Sequence, residues 1–117
     1  MKDENKFSQK NPPNGNNGNP ATSMDAKDLN ARGNELYNQK KYQEAISYYQ
    51  EAIKIDPGEW IYYANLGDSF SKLGEWENAV MFYERAVELH PQDDWVQNSL
   101  GIAYSMVKQY EKAKTHF

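Results

Sequence analysis

From Asp25 onward, apolar residues recur at the spacing of one helical face. Tyr63, Leu66, Gly67, Phe70 and Leu73 stand at i, i+3, i+4, i+7 and i+10, and Trp76, Ala79, Val80, Tyr83, Ala86 and Val87 resume that rhythm after a break at Gly74-Glu75. A stripe at this period predicts an amphipathic helix. The glycine between the stripes predicts a left-handed helix stop and a tight turn, so the two helices lie antiparallel. Asp56-Pro57 and His90-Pro91 end the second stripe of successive units, because proline bars helix for the residue before it and cannot continue the ladder.

The pattern repeats as a whole. Gly33, Gly67 and Gly101 are 34 residues apart, as are Ala45, Ala79 and Ala113, and Ala52 and Ala86. Rings recur in the same register at Tyr42, Trp76 and Tyr110 and at Tyr49, Tyr83 and Phe117. A fixed period of this length marks a solenoid. The clearest unit, Tyr63-x-x-Leu66-Gly67-x-x-Phe70, then Ala79-x-x-x-Tyr83, then Pro91, resembles the signature of the tetratricopeptide repeat. That resemblance covers residues 26 to 117 and implies an all-α fold, a right-handed α-solenoid of antiparallel helix pairs. The expected units are 26–59, 60–93 and a truncated 94–117.

Departures from the pattern carry information as well. Arg32 stands where Leu66 and Leu100 stand later, as expected of a terminal unit with a polar outer side. Lys40 and Lys108 occupy the turn position held by Gly74. A turn is still expected at Lys108, followed by a second helix of about two turns. Tyr110, Ala113 and Phe117 then end the sequence without a polar cap, an edge that calls for a second copy of the chain or for further repeats of a longer array.

Residues 1 to 23 are rich in Asn, Pro, Gly and Lys and hold one large apolar residue after Met1, Phe7. So little apolar surface cannot offset the entropy of ordering, and a disordered tail is expected there. Met24 offers an internal start. No run reaches the length of a membrane helix, and the N-terminus lacks the plan of a secretory signal; a cytoplasmic location is the default expectation. The absence of cysteine excludes disulfides and thiolate chemistry. Of the net charge of -4, the tail contributes three lysines against two acids, so the repeats are more acidic than the whole. Nucleic acid is therefore not an expected partner, since its affinity comes from clustered Lys and Arg.

Catalytic chemistry finds few candidates. His90 sits at a helix C-terminus, where a partly charged imidazole suits the dipole, and its counterpart one unit earlier is Asp56. His116 lies on the outer side of a second helix. Neither has a second ligand at metal spacing, and Gly15 and Gly18 precede no strand or phosphate-binding lysine. No metal, cofactor or enzymatic activity is expected.

The family resemblance implies a concave groove lined by first helices. In this sequence its candidate residues are Asn30, Asn34, Tyr37 and Asn38 from the first unit, Ile61, Asn65, Asp68 and Lys72 from the second, and Trp95, Asn98, Ile102 and Met106 from the third. One end is amide-rich, suited to the backbone of an extended peptide; the other is apolar, with Trp95 as an expected anchor. The best-known subtype clamps the carboxylate of acidic chaperone tails with two asparagines and three cations. At those positions this chain has Asn34 and Asn65, but Asn30, Trp95 and Ser99 in place of the cations. Loss of charge-assisted bonds and the nearby Asp68 disfavour such a tail, and the expected partner is a neutral or basic, partly apolar peptide or helix. The alternative is self-association, a homo-oligomer formed through the open C-terminal edge or through Tyr48, Met81 and Phe82.

Overall fold

A computed structural model describes residues 24–115; the expected tail, His116 and Phe117 lie outside the described residues. Five helices follow one another: α1 (Ala26–Asn38), α2 (Tyr42–Ile55), α3 (Trp60–Lys72), α4 (Trp76–Leu89) and α5 (Asp94–Thr115). Each packs chiefly on the next in sequence, and the first helices of successive units touch only lightly. The described residues contain no strand.

The helix ends follow from local chemistry. Asp25 caps α1 by accepting from the Asp28 backbone N–H at 2.9 Å, and Asp28 returns the bond to the Asp25 N–H. This reciprocal pairing satisfies two donors that the first turn leaves open. α1 and α3 end in the same way. The N–H groups of Lys40 and Lys41 donate to Tyr37 and Leu36, and those of Gly74 and Glu75 donate to Ser71 and Phe70, the paired bonds of a Schellman stop. Its left-handed residue has φ of 75° at Gly74 and 66° at Lys40. Glycine adopts that conformation freely, whereas a lysine there costs about 1 kcal/mol.

The repeating glycines mark close approach. A Cβ on Gly33 would stand 2.6 Å from Tyr49 Cε1, and one on Gly67 would stand 2.6 Å from Tyr83 Cδ1. Each tyrosine ring thus lies directly on the glycine of its partner helix. Ala45, Ala52, Ala79 and Ala86 are fully buried behind those rings. One core cluster gathers Leu36, Ala45, Ile46, Tyr49 and Leu66, and a second gathers Tyr63, Ala64, Ala79, Tyr83, Ala86, Val96 and Ala103. Leu66 is buried, while Arg32 at the matching position of the first unit faces solvent and pairs with Glu35 at 2.8 Å.

Units are joined at the prolines. The Tyr63 hydroxyl donates to the Pro57 carbonyl at 2.8 Å, and Gln97, one period later, donates to the Pro91 carbonyl. His90 stacks on Trp60 at 4.6 Å, and Trp95 meets the edge of Trp60 at 6.3 Å. His90 therefore sits in a ring stack between units.

The third unit differs from expectation. No turn forms at Lys108, and α5 continues unbroken to Thr115. In the first unit, the left-handed lysine is offset by burial of Ala45, Ile46 and Tyr49 against α1. At Lys108 the helix runs straight on and so avoids the left-handed conformation that Lys40 adopts.

Candidate functional site

The first helices, α1, α3 and α5, bring the sequence-derived residues into two groups. Asn34, Tyr37 and Asn38 of α1, Asn65 and Asp68 of α3, and Tyr49 of α2 line one cavity of about 280 Å³. Asn98, Ile102 and Met106 line a second, of about 500 Å³, along α5. Asn30 belongs to the rim of the first group through its bond with Asn65. Ile61, Lys72 and Trp95 line neither cavity; Trp95 is half-exposed at the joint with Trp60.

The hydrogen bonds fix which end of each amide is committed. The Tyr49 hydroxyl donates to Asn34 Oδ1 at 2.7 Å, which leaves the Asn34 Nδ2 donors without a partner among the described residues. Asn65 Nδ2 donates to Asn30 Oδ1 at 2.8 Å, which leaves the Asn30 Nδ2 donors, the second Asn65 N–H and the Asn65 Oδ1 acceptor. The amide-rich end therefore offers N–H groups from Asn30, Asn34 and Asn65 to an acceptor.

Asp68 is not the free groove charge that its sequence position suggests. Its Oδ1 accepts from the Tyr83 hydroxyl at 2.5 Å, and that hydroxyl also lies 3.3 Å from the Ser71 hydroxyl. Burial pushes the Asp68 carboxyl up to about 6, against the opposing pull of the Tyr83 bond and of Lys72. Tyr37 is pushed up to about 12 by burial and by the nearby Asp68. Tyr49 is raised for the same two reasons, and Tyr83 by burial and by its bond to Asp68. All three phenols stay neutral at ordinary pH.

Sequence reasoning missed Tyr49 and Tyr83 as site residues because they belong to second helices. The available signal was their offset: each follows its glycine by sixteen residues, and an Asn or Asp directly follows that glycine. Of the outer residues considered for self-association, Met81 is 53% exposed, but Phe82 stacks on Phe70 at 5.5 Å. Ala64, though on a first helix, is fully buried. Among the described residues, no group of His, Cys, Asp and Glu gathers as a metal site, and no helix is long and apolar enough to cross a membrane.

Family models for the tetratricopeptide repeat match residues 26–59 and 67–108. The chain belongs to the tetratricopeptide repeat family. Its five helices are an all-α solenoid of that family, a class of interaction modules. Among curated proteins, an Hsp70-Hsp90 organising protein of Plasmodium falciparum is 38% identical over 50 residues, covering 43% of this chain and 20% of that protein. The small glutamine-rich tetratricopeptide repeat-containing protein 2 of Saccharomyces cerevisiae is 43% identical over 56 residues, covering 48% of this chain and 16% of that protein. The chain spans a fifth or less of the length of these relatives. Among solved structures, the first tetratricopeptide domain of Spaghetti (RPAP3), bound to the HSP90 peptide SRMEEVD, superposes with a TM-score of 0.69 at 26% identity, covering 79% of this chain and 77% of that one.

These relatives overturn the expected partner. The expectation was a neutral or basic ligand with acidic chaperone tails disfavoured, yet the relatives include an Hsp70-Hsp90 organising protein and a domain that holds an acidic HSP90 peptide. Two physical facts bear on the reversal. Asp68 is not a full exposed charge but is half-buried, hydrogen-bonded and raised in pKa. The surviving asparagines are also held in place, Asn34 by Tyr49 and Asn65 by Asn30, which the residue types alone do not reveal.

Proposed function

We propose that this chain is a non-catalytic interaction module whose groove receives the acidic tail peptide of an Hsp70- or Hsp90-class chaperone in extended form. The observation that carries the reading is the amide cluster at the α1–α3 end. There Tyr49 holds the Oδ1 of Asn34 and leaves its donors uncommitted beside the cavity, and Asn30 and Asn65 brace one another across the helices. Such donors suit a carboxylate or a peptide carbonyl. With Asn30, Trp95 and Ser99 at three positions where cations clamp tighter members, the affinity is modest and less dependent on salt. A cytoplasmic site of action goes with this reading.

Fluorescence polarisation with labelled SRMEEVD tests it. Saturable binding is expected, weakened roughly tenfold or more by Asn34→Ala or Asn65→Ala, the loss of one hydrogen bond to a charged group. Amidation of the peptide C-terminus is expected to weaken binding by a similar factor. No saturation at about 1 mM peptide, an affinity below roughly -4 kcal/mol in magnitude, rejects the proposal, as does binding indifferent to both asparagines.

A further inference from the structure

Where tighter members place cations, this chain has Asn30, Trp95 and Ser99, and the cavity at the amide-rich end holds a carboxyl group instead. Asp68 lines that cavity beside Asn34 and Asn65. A carboxylate repels an incoming carboxylate unless one of the two carries a proton.

The surroundings of Asp68 decide where such a proton sits. Its Oδ1 accepts from the Tyr83 hydroxyl at 2.5 Å, and its Oδ2 accepts no hydrogen bond from the described residues. None of the described ion pairs includes it. The titratable groups that face it are Tyr37 from α1, Tyr49 from α2, Lys72 from its own helix and Tyr83 from α4. Among the described residues no charged group of α5 acts on it. The phenols are neutral, so Lys72 is the cation that opposes the cost of burying the carboxylate, and burial outweighs it. A proton on Oδ2 leaves Oδ1 as the acceptor that Tyr83 already uses and turns Oδ2 into a donor. The oxygen that no protein group satisfies then offers a short, charge-assisted O–H···O⁻ bond to a ligand carboxylate.

We propose that Asp68 binds the tail peptide as a protonated acid, its Oδ2–H donating to a peptide carboxylate oxygen, so that one proton from solvent enters the groove with each peptide. The proton takes the place of a missing cation. This inference rests on the groove reading above and adds to it a binding residue and a dependence on pH. In acid the carboxyl already holds its proton and binding is strongest; above its titration each peptide must bring the proton in, and affinity falls as pH rises.

Fluorescence polarisation of labelled SRMEEVD with the full chain at pH 5.5 and pH 7.5 tests the proposal. With the carboxyl titrating at about 6, its protonated fraction falls about twentyfold across that interval, and the affinity is expected to fall with it. The peptide's own carboxyls ionise at about 3.3–4.3 and keep their charge throughout. Asp68→Asn, whose Nδ2 donors stand in permanently for the Oδ2–H, is expected to bind at pH 7.5 within about threefold of the parent at pH 5.5. Its affinity is expected to change less than about threefold between the two conditions. The variant keeps both histidines, so the difference between the proteins isolates Asp68. Isothermal titration calorimetry at pH 7, in two buffers of different ionisation enthalpy, is expected to show about one proton taken up per peptide by the parent and none by the variant. Equal parent affinity at the two pH values, or a variant that binds no better than the parent at pH 7.5, overturns the proposal. If binding still depends on Asn34 and Asn65 in that case, the groove reading stands. No saturation at either pH with about 1 mM peptide overturns both.

Discussion

Asp68→Asn is expected to stabilise the protein at neutral pH, although it removes a charge that accepts a hydrogen bond. The carboxyl titrates at about 6 in the folded chain, against an ordinary 3.8. Below the lower value both folded and unfolded chains hold the proton, and no penalty exists. As pH rises from about 4 to 6 the unfolded chain ionises first, so stability falls; above that range the penalty is constant. The gap corresponds to about 3 kcal/mol at full strength, and partial solvent access reduces it to about 1–2 kcal/mol. Asparagine carries no such penalty and still accepts from the Tyr83 hydroxyl, as Asn34 accepts from Tyr49. Thermal unfolding followed by far-UV circular dichroism at pH 7 should therefore place the variant roughly 5–15 °C above the parent. At about pH 3, below the ordinary value of 3.8, Asp68 is largely protonated in both states and the two should melt nearly together. Other titrating groups act equally on both proteins, so the difference isolates Asp68. A variant equal to or less stable than the parent at pH 7, or a gap independent of pH, would refute the reasoning.

Two further substitutions test the packing. Gly67→Ala drives a methyl to 2.6 Å from the Tyr83 ring and should cost about 1–3 kcal/mol; urea unfolding midpoints measure it, and a neutral result would mean that the ring moves aside freely. Lys40→Gly relieves a left-handed lysine at φ 66° and should gain about 1 kcal/mol, read in the same titration, whereas Gly74→Lys should lose a comparable amount.

Much of the architecture was legible because it is written in spacing. Gly67 with Tyr83, the turn at Gly74 and the stop before Pro57 each rest on short-range rules that hold whatever the rest of the chain does. Lys40 was legible only by comparison with Gly74, since nothing about a lysine announces a left-handed turn. The same comparison failed at Lys108, where the turn depends on how much packing follows. Register brought Asn34, Asn38 and Asn65 together, and the structure places them around one cavity, but the charge of Asp68 was misjudged. Its charge state depends on burial and on a hydroxyl fifteen residues away, and neither is visible in a list of residue types. The partner was misjudged with it, because counting cations treats a site as a sum of charges rather than a set of oriented donors.

Packing in which each helix rests chiefly on its successor also bears on how the chain is made. Contacts that are local in sequence fold early and fast, and a solenoid can begin from one unit and propagate. The pair α1–α2 has its glycine, its aromatic seat and its Schellman turn complete before any residue of α3 is needed. During synthesis each pair can therefore close as it leaves the ribosome, offering its open side to the next, so that little apolar surface waits exposed for a distant partner.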